Sequence, residues 1–247
     1  MAPDPAHQYA IWLSTPNVAA AEIARQLGYS AVVLDIEHGA FDLADLDGFV
    51  PLLRALGLEV IAKVLAPERS PIQQALDFGA DAVVIPHILD AAHAAQVCGF
   101  AKFPPLGDRS YAGGRTTGYS GFDDEWVVAQ DTQTRCYPMV EDAGALDEIE
   151  AILALPVVDG VFVGPSDLSL RRERGAYART SHDFDDLRTI AMAAGSAGKP
   201  WLLPAWSIEE KRFAIEHGAA QIVLTMEHTA IRNGLTQSLD EIRALTS

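Results

Sequence analysis

Four segments of the chain share one pattern, a glycine-containing turn followed by a short β-branched run. They cover residues 27–35, 78–86, 158–165 and 217–225. Gly28, Gly79 and Gly218 each close an amphipathic helical run, where a glycine can take the left-handed conformation of a helix C-cap at no steric cost. The runs that follow are apolar on both faces, as buried parallel strands are. Further strands are expected at Ala10–Leu13, Glu59–Leu65, Arg135–Glu141 and Pro200–Ala205, which brings the total to eight with helical runs between most of them. Eight β/α units in a chain of about 250 residues point to a TIM (β/α)8 barrel. An open doubly wound sheet is the alternative, but no Gly-x-Gly-x-x-Gly loop follows the first strand. No linker or low-complexity tract divides the sequence, so residues 1–247 read as one catalytic domain.

One connection is irregular. After a short helix at Ala91–Phe100, the chain enters Phe103-Pro104-Pro105-Leu106-Gly107-Asp108-Arg109-Ser110-Tyr111-Ala112-Gly113-Gly114-Arg115. Long Gly/Pro/aromatic loops in compact domains are more often functional than not. This one is expected to leave the fourth strand at its C-terminal end, where barrel active sites lie.

Charge narrows the partners. With 18 Lys+Arg against 34 Asp+Glu, the formal charge is −16, a poor balance for a nucleic-acid or anionic-membrane surface. The two cysteines, Cys98 and Cys136, imply neither a disulfide framework nor a zinc module. No apolar run approaches the roughly 18 residues of a membrane span, and no signal peptide is legible, so a cytoplasmic protein is expected.

In a barrel, the polar residues at the C-terminal strand ends are the ones to inspect. They are Asp35-Ile36-Glu37-His38-Gly39, Lys63, Pro86-His87, Glu141-Asp142, Gly164-Pro165-Ser166-Asp167 and Glu227-His228. Glu141 and Asp167, from neighbouring strands, make a natural pair of oxygen ligands for a hard divalent cation that completes its shell with water and substrate. On spacing alone they read equally well as loop ends or helix caps.

Asp35-Ile36-Glu37-His38-Gly39, Lys63, Leu76-Asp77-Phe78-Gly79-Ala80, Phe103-Pro104-Pro105-x-Gly-x-Arg109-Ser110, Val140-Glu141 and Val161-Phe162-Val163-Gly164-Pro165-Ser166-Asp167-Leu168-Ser169 together resemble the HpcH/HpaI aldolase family. These are class II, metal-dependent pyruvate aldolases on a TIM barrel. The resemblance runs from Trp12 to about Ile231. It implies a carbon–carbon lyase that forms or cleaves a bond next to a 2-oxo acid through a metal-stabilised enolate, with an aldehyde as the second substrate. It implies Glu141 and Asp167 as ligands of Mg²⁺ or Mn²⁺, with Co²⁺ a further candidate. Backbone N–H groups around Gly164, Pro165 and Ser166 would hold the substrate carboxylate. His38 would serve in acid–base work. Asp77 would reach the His38 of a neighbouring subunit, and Asp35 and Glu37 would support the site from behind. The implied partner is a second copy, in a dimer-based homo-oligomer and often a hexamer with a swapped C-terminal helix; the stretch Thr229–Leu245 leaves room for such a helix but no long arm.

Two positions depart from the family pattern. Lys63 stands where an arginine usually contacts the enolate oxygen, and loses the planar two-pronged hydrogen bonding. Met139 stands where a glutamine is frequent, and donates no amide hydrogen bond. They motivate two alternatives: a decarboxylase or condensing enzyme on a larger oxo-acid, and a non-catalytic ligand-binding homologue. For Lys63 itself, electrostatic contact with substrate ranks ahead of an ion-paired strand end, and a Schiff base comes last. Arg171-Arg172-Glu173-Arg174 reads either as an anion grip or, with slightly better odds, as a solvated charge run. Arg109 is expected to touch substrate; Arg109 and Arg115 read either as anion contacts or as residues that hold their loop by bonding carbonyls, and Tyr111 and Trp206 either as pocket lining or as packing residues. Because an anionic substrate meets a chain of charge −16, positive charge is expected at the barrel mouth: the metal, Lys63, and Arg109, Arg115 or the Arg171–Arg174 run.

Overall fold

In the computed structural model, residues 8–246 are described. Eight parallel strands close on themselves in sequence order: β1 (Gln8–Leu13), β2 (Ala31–Asp35), β3 (Glu59–Lys63), β4 (Ala82–Ile85), β5 (Arg135–Val140), β6 (Val161–Val163), β7 (Trp201–Pro204) and β8 (Gln221–Met226). The barrel closes by pairing of β1 with β8, through a register irregularity between Ala10 and Ile11. The doubly wound alternative is excluded, because its sheet has two free edges and this one has none.

Side chains alternate across a strand with a period of two, and this decides what reaches the mouth. Ala31 and Val33 of β2, Ile61 of β3, Tyr137 and Met139 of β5 and Phe162 of β6 fill the barrel interior. The next inward positions are Asp35, Lys63, Glu141 and Gly164. The direct pairing of Asp35 with Lys63 in the β2–β3 register sets the two charges side by side. The other strand faces pack against the surrounding helices in a continuous apolar layer.

The turns behave as their glycines require. Gly28, Gly79 and Gly218 have φ of +96°, +101° and +71°. Gly160, in the fourth copy of the pattern, serves differently: a Cβ there would lie 2.3 Å from the Pro200 carbonyl oxygen, so the glycine lets two backbones meet. Eleven α-helices lie between and beyond the strands. Those that matter below are α2 (Leu43–Ala55), α3 (Arg69–Asp77), α4 (Ala91–Cys98), α5 (Asp124–Gln133), α8 (Pro165–Arg171), α9 (Ser181–Ala197) and α11 (Glu227–Thr246). Among the described residues no helix is long and apolar enough to cross a membrane.

The irregular loop is not where its place after the fourth strand suggested. The chain first runs back along α4 and a 3-10 turn at Gly99–Ala101, so the loop starts from the opposite end of the barrel and packs along the outside of α3. Arg69 of α3 pairs with Asp108, Gln73 Nε2 donates to Ser110 Oγ (2.9 Å), and Arg109 Nη2 donates to Asp77 Oδ1 (2.8 Å). Tyr111, Phe122 and Trp126 pack together on its outer side.

Candidate active site at the barrel mouth

Asp35, Glu37, Lys63, His87 and Glu141 form one connected network across the ends of four adjacent strands. The Lys63 ammonium is 3.3 Å from Asp35 Oδ1 and closer still to Glu37 Oε2. Trp12 Nε1 donates to the second Asp35 oxygen at 3.2 Å. The other Glu37 oxygen lies 2.5 Å from His87 Nε2. The His87 main-chain N–H donates to Glu141 Oε1 at 2.7 Å. Gly39 lets this loop fold tightly, since a Cβ there would lie 2.2 Å from the Asp35 carbonyl oxygen.

The two glutamates respond to their surroundings in opposite directions. Burial pushes both carboxyls up. At Glu37 the hydrogen bond and charge of Lys63, aided by His87 and His38, outweigh burial and hold the group below the usual carboxylate range. At Glu141 burial wins, and the nearby Asp167 charge adds to it, so this carboxyl sits above that range despite the His87 contacts.

The Asp167 carboxylate is near enough for its charge to act on Glu141. Glu141 is only 5% exposed, and its second oxygen, Oε2, faces Gly164. A Cβ at residue 164 would lie 2.7 Å from Glu141 Cβ and 2.8 Å from Oε2, so only glycine leaves the carboxylate its place. Asp167 is exposed on the first turn of α8, and among the described residues no hydrogen bond or ion pair ties it down. A buried carboxylate beside a like charge, with one oxygen free, fits a hard divalent cation. Among the described residues no three His, Cys, Asp or Glu side chains form a closed cage. A two-carboxylate set suits a cation that keeps water and substrate oxygens, rather than a structural zinc.

The turn from Gly164 to Asp167 offers fewer donors than expected. The Gly164 N–H is bonded to the Val140 carbonyl at 3.0 Å, and Pro165, the first residue of α8, has no N–H. Ser166 and Asp167 keep the free N–H groups of the helix start.

His38 stands at the rim with its side chain 68% exposed, and its Nε2 is 3.5 Å from Glu37 Oε2. Its N–H donates to Asp35 Oδ1 at 3.2 Å. Asp77 ends α3 and is not brought to the His38 of its own chain; Arg109 holds one of its oxygens. Arg109 itself is 3% exposed and lies over the Phe103 ring at 4.7 Å. It is a strut of the loop and does not reach the mouth of its own barrel. Arg115 bonds Asp47 of α2. Arg172 and Arg174 pair with Asp186, and Arg174 also with Asp183, on α9. Arg171 is 60% exposed and 3.9 Å from Asp142. The expected positive side chains do not gather among the described mouth residues: Lys63 is paired with two carboxylates, Arg109, Arg115, Arg172 and Arg174 hold loops and helices, and Arg171 stays exposed. Local negative charge is in excess, which is the electrostatic reason for a cation to bind.

The sequence marks His87 and Glu227 only as polar residues at strand ends, with no role of their own. The structure puts His87 between two glutamates. Glu227 is 2% exposed and accepts from the Ser14 N–H at 2.8 Å and from Thr15 Oγ1 at 3.0 Å, tying the start of α11 to the end of β1. The only available signal was their position at strand ends. Trp206 stands edge-on to Trp12 with ring centroids 6.2 Å apart, beside the mouth.

Comparison with known proteins follows the same lines. The family described as HpcH/HpaI aldolase/citrate lyase matches residues 8–202. The 4-hydroxy-2-oxovalerate aldolase of Novosphingobium aromaticivorans is 32% identical over 166 residues, 66% of this chain and 62% of that protein. The chain thus matches less than two thirds of the length of the first relatives. The hydroxypyruvate/pyruvate aldolase of Paraburkholderia phytofirmans is 28% identical over 243 residues, 96% of this chain and 93% of that protein. A crystal structure of an HpcH/HpaI aldolase/citrate lyase family protein from Burkholderia cenocepacia superposes with a TM-score of 0.88 at 28% identity, covering 97% of this chain and 96% of the other. The chain belongs to the HpcH/HpaI aldolase/citrate lyase family.

Proposed function

We propose that this protein is a class II aldolase, a carbon–carbon lyase that forms or cleaves the bond next to a 2-oxo acid of the pyruvate type, with an aldehyde as the second reactant. The observation that carries the reading is the pairing of Glu141 with Asp167 at the mouth, with Gly164 cleared for the Glu141 carboxylate. Glu141 Oε2 and the Asp167 carboxylate would hold Mg²⁺, Mn²⁺ or Co²⁺. When bound, a divalent cation supplies Lewis-acid polarisation of a keto oxygen and stabilises enolate charge.

The chain's own residues supply the rest. The free N–H groups of Ser166 and Asp167 point a substrate carboxylate toward the start of α8. His38, exposed and in reach of Glu37, is placed to exchange a proton with water at the rim. Lys63, fixed between Asp35 and Glu37, keeps a positive charge near the reacting centre without presenting a free amine for imine formation. Asp77 retains an oxygen not bonded by Arg109, and in an oligomer that oxygen would serve the His38 of another copy.

The test is methyl-proton exchange of pyruvate in D₂O, followed by ¹H NMR with Mg²⁺ or Mn²⁺ and again with chelator. Metal-dependent exchange is expected, and its absence would remove pyruvate enolisation. The engagement of Lys63 by two carboxylates favours one second reading, a condensing or decarboxylating reaction on a larger oxo-acid. In that case Lys63→Arg together with Met139→Gln raises aldol turnover; unchanged turnover would discard it.

A further inference from the structure

Between β4 and α4 the chain passes through Pro86-His87-Ile88, and His87 has φ of +58°. Residues other than glycine seldom take this left-handed conformation, because their Cβ crowds the following carbonyl; asparagine, aspartate and histidine do so more readily than the rest. A change to negative φ would turn the 86–87 peptide, and the N–H it carries, relative to residue 88. Three contacts oppose this. The ring Nε2 is 2.5 Å from Glu37 Oε1, the ring Nδ1 is 3.5 Å from Glu141 Oε1, and the N–H donates to Glu141 Oε1 at 2.7 Å. The next residue, Ile88, is completely buried and fixes the chain on the C-terminal side of His87.

We propose that His87 is a positioning residue for Glu141, acting through its left-handed main-chain N–H. The N–H occupies Oε1 and stops the carboxylate from rotating. Oε2 is left against Gly164 as the oxygen that meets the cation. The ring does not ligate; it anchors the backbone by gripping Glu37, so the ends of β2, β4 and β5 are coupled through one residue. Hydrogen-bond partners that orient a ligand are worth about 10–100-fold in metal affinity. The inference rests on the reading of Glu141 and Asp167 as cation ligands.

Three variants separate the backbone from the ring when Mn²⁺ is titrated by calorimetry, with circular dichroism as the check on folding. His87→Ala removes the anchor and resists left-handed φ, so Mn²⁺ binding is expected to weaken about tenfold or more. His87→Gly and His87→Asn lack the imidazole but tolerate left-handed φ, so they are expected to stay within about threefold of wild type. Equal affinity in all three variants and wild type overturns the proposal. Equal weakening in all three also overturns it, because the ring and not the backbone would then carry the effect. Should His87→Ala not fold, His87→Ser asks the same question with no change of carboxylate charge, since it also lacks the ring and disfavours left-handed φ: weaker Mn²⁺ binding is expected, and wild-type affinity overturns the proposal. A wild-type protein that binds no Mn²⁺ removes the metal reading and this inference with it, whereas wild-type binding with indifferent variants removes only the inference.

Discussion

Lys63 and Lys102 are both almost fully buried, at 3% and 1% exposure, and they do different work. Lys102 sits at the base of the irregular loop, where its ammonium donates to the carbonyls of Asp131 and Thr134, each at 2.7 Å, and pairs with Asp159 at 2.8 Å. Those partners are mostly backbone, fixed in place, and belong to the chain entering β5 and β6. Lys63 pairs with Asp35 and Glu37, which also serve Trp12, His38 and His87. One lysine closes a structural gap. The other belongs to a network of shared, titratable partners beside an exposed carboxylate. Burial of a charge does not mark function; what its partners are free to do does.

The contrast predicts that stability and activity separate. The largest effect is expected at the mouth without a fold penalty. Glu141→Gln should lower metal-dependent methyl exchange on the order of a thousandfold, about 4 kcal/mol of lost stabilisation. Because ionisation of Glu141 is opposed by burial and by Asp167, its denaturation midpoint should not fall. A large loss of stability would place Glu141 with Lys102 as a structural group. Next, Lys102→Met leaves two carbonyls and a carboxylate without their cation, and should cost about 3 kcal/mol in denaturant unfolding, with exchange per folded molecule unchanged. If exchange falls in step, the two lysines are not separable.

Gly164→Ala should cost about 1–3 kcal/mol, as overpacking does, since the new methyl meets Glu141 and Met139 at 2.7–2.8 Å. Thermal unfolding and Mn²⁺ titration should report the loss together; wild-type values in both would mean that the carboxylate has room to move. Smallest is a pH effect. The folded-state pKa of Glu37 is depressed, chiefly by Lys63 acting against burial. Its contribution to stability is therefore complete above the ordinary carboxylate range and is lost as pH falls through the depressed value. Denaturation as a function of pH should show a shallower acid limb in Glu37→Gln than in wild type. Identical limbs would mean that the Lys63–Glu37 pair contributes nothing measurable to folding.

Much of the barrel was legible because its signal is local. Glycine turns at Gly28, Gly79 and Gly218 and the apolar runs after them fix strand positions by steric and solvation rules that act over a few residues. Glu141 and Asp167 stood out as candidates for the same reason, since each follows a recognisable strand. The irregular loop was misplaced because its position depends on where α4 delivers the chain. Arg109 read as a substrate contact, and the Arg171–Arg174 run as an anion grip or, more readily, a solvated charge run, yet the partners Asp77, Asp183 and Asp186 lie on helices whose packing no local pattern encodes. His87 looked unremarkable, because a left-handed backbone leaves no trace in residue type when a histidine adopts it.

By itself, the sequence determined the number and order of the strands and which side chains face the barrel interior at the ends of β2, β3 and β5, because alternation and turn chemistry are properties of the chain. Closure brought those ends onto one ring, and only then did Glu37 meet His87, and His87 meet Glu141. A carboxylate's charge state and free oxygen depend on neighbours 26 to 54 residues away in sequence. Those neighbours are set by packing and register in three dimensions.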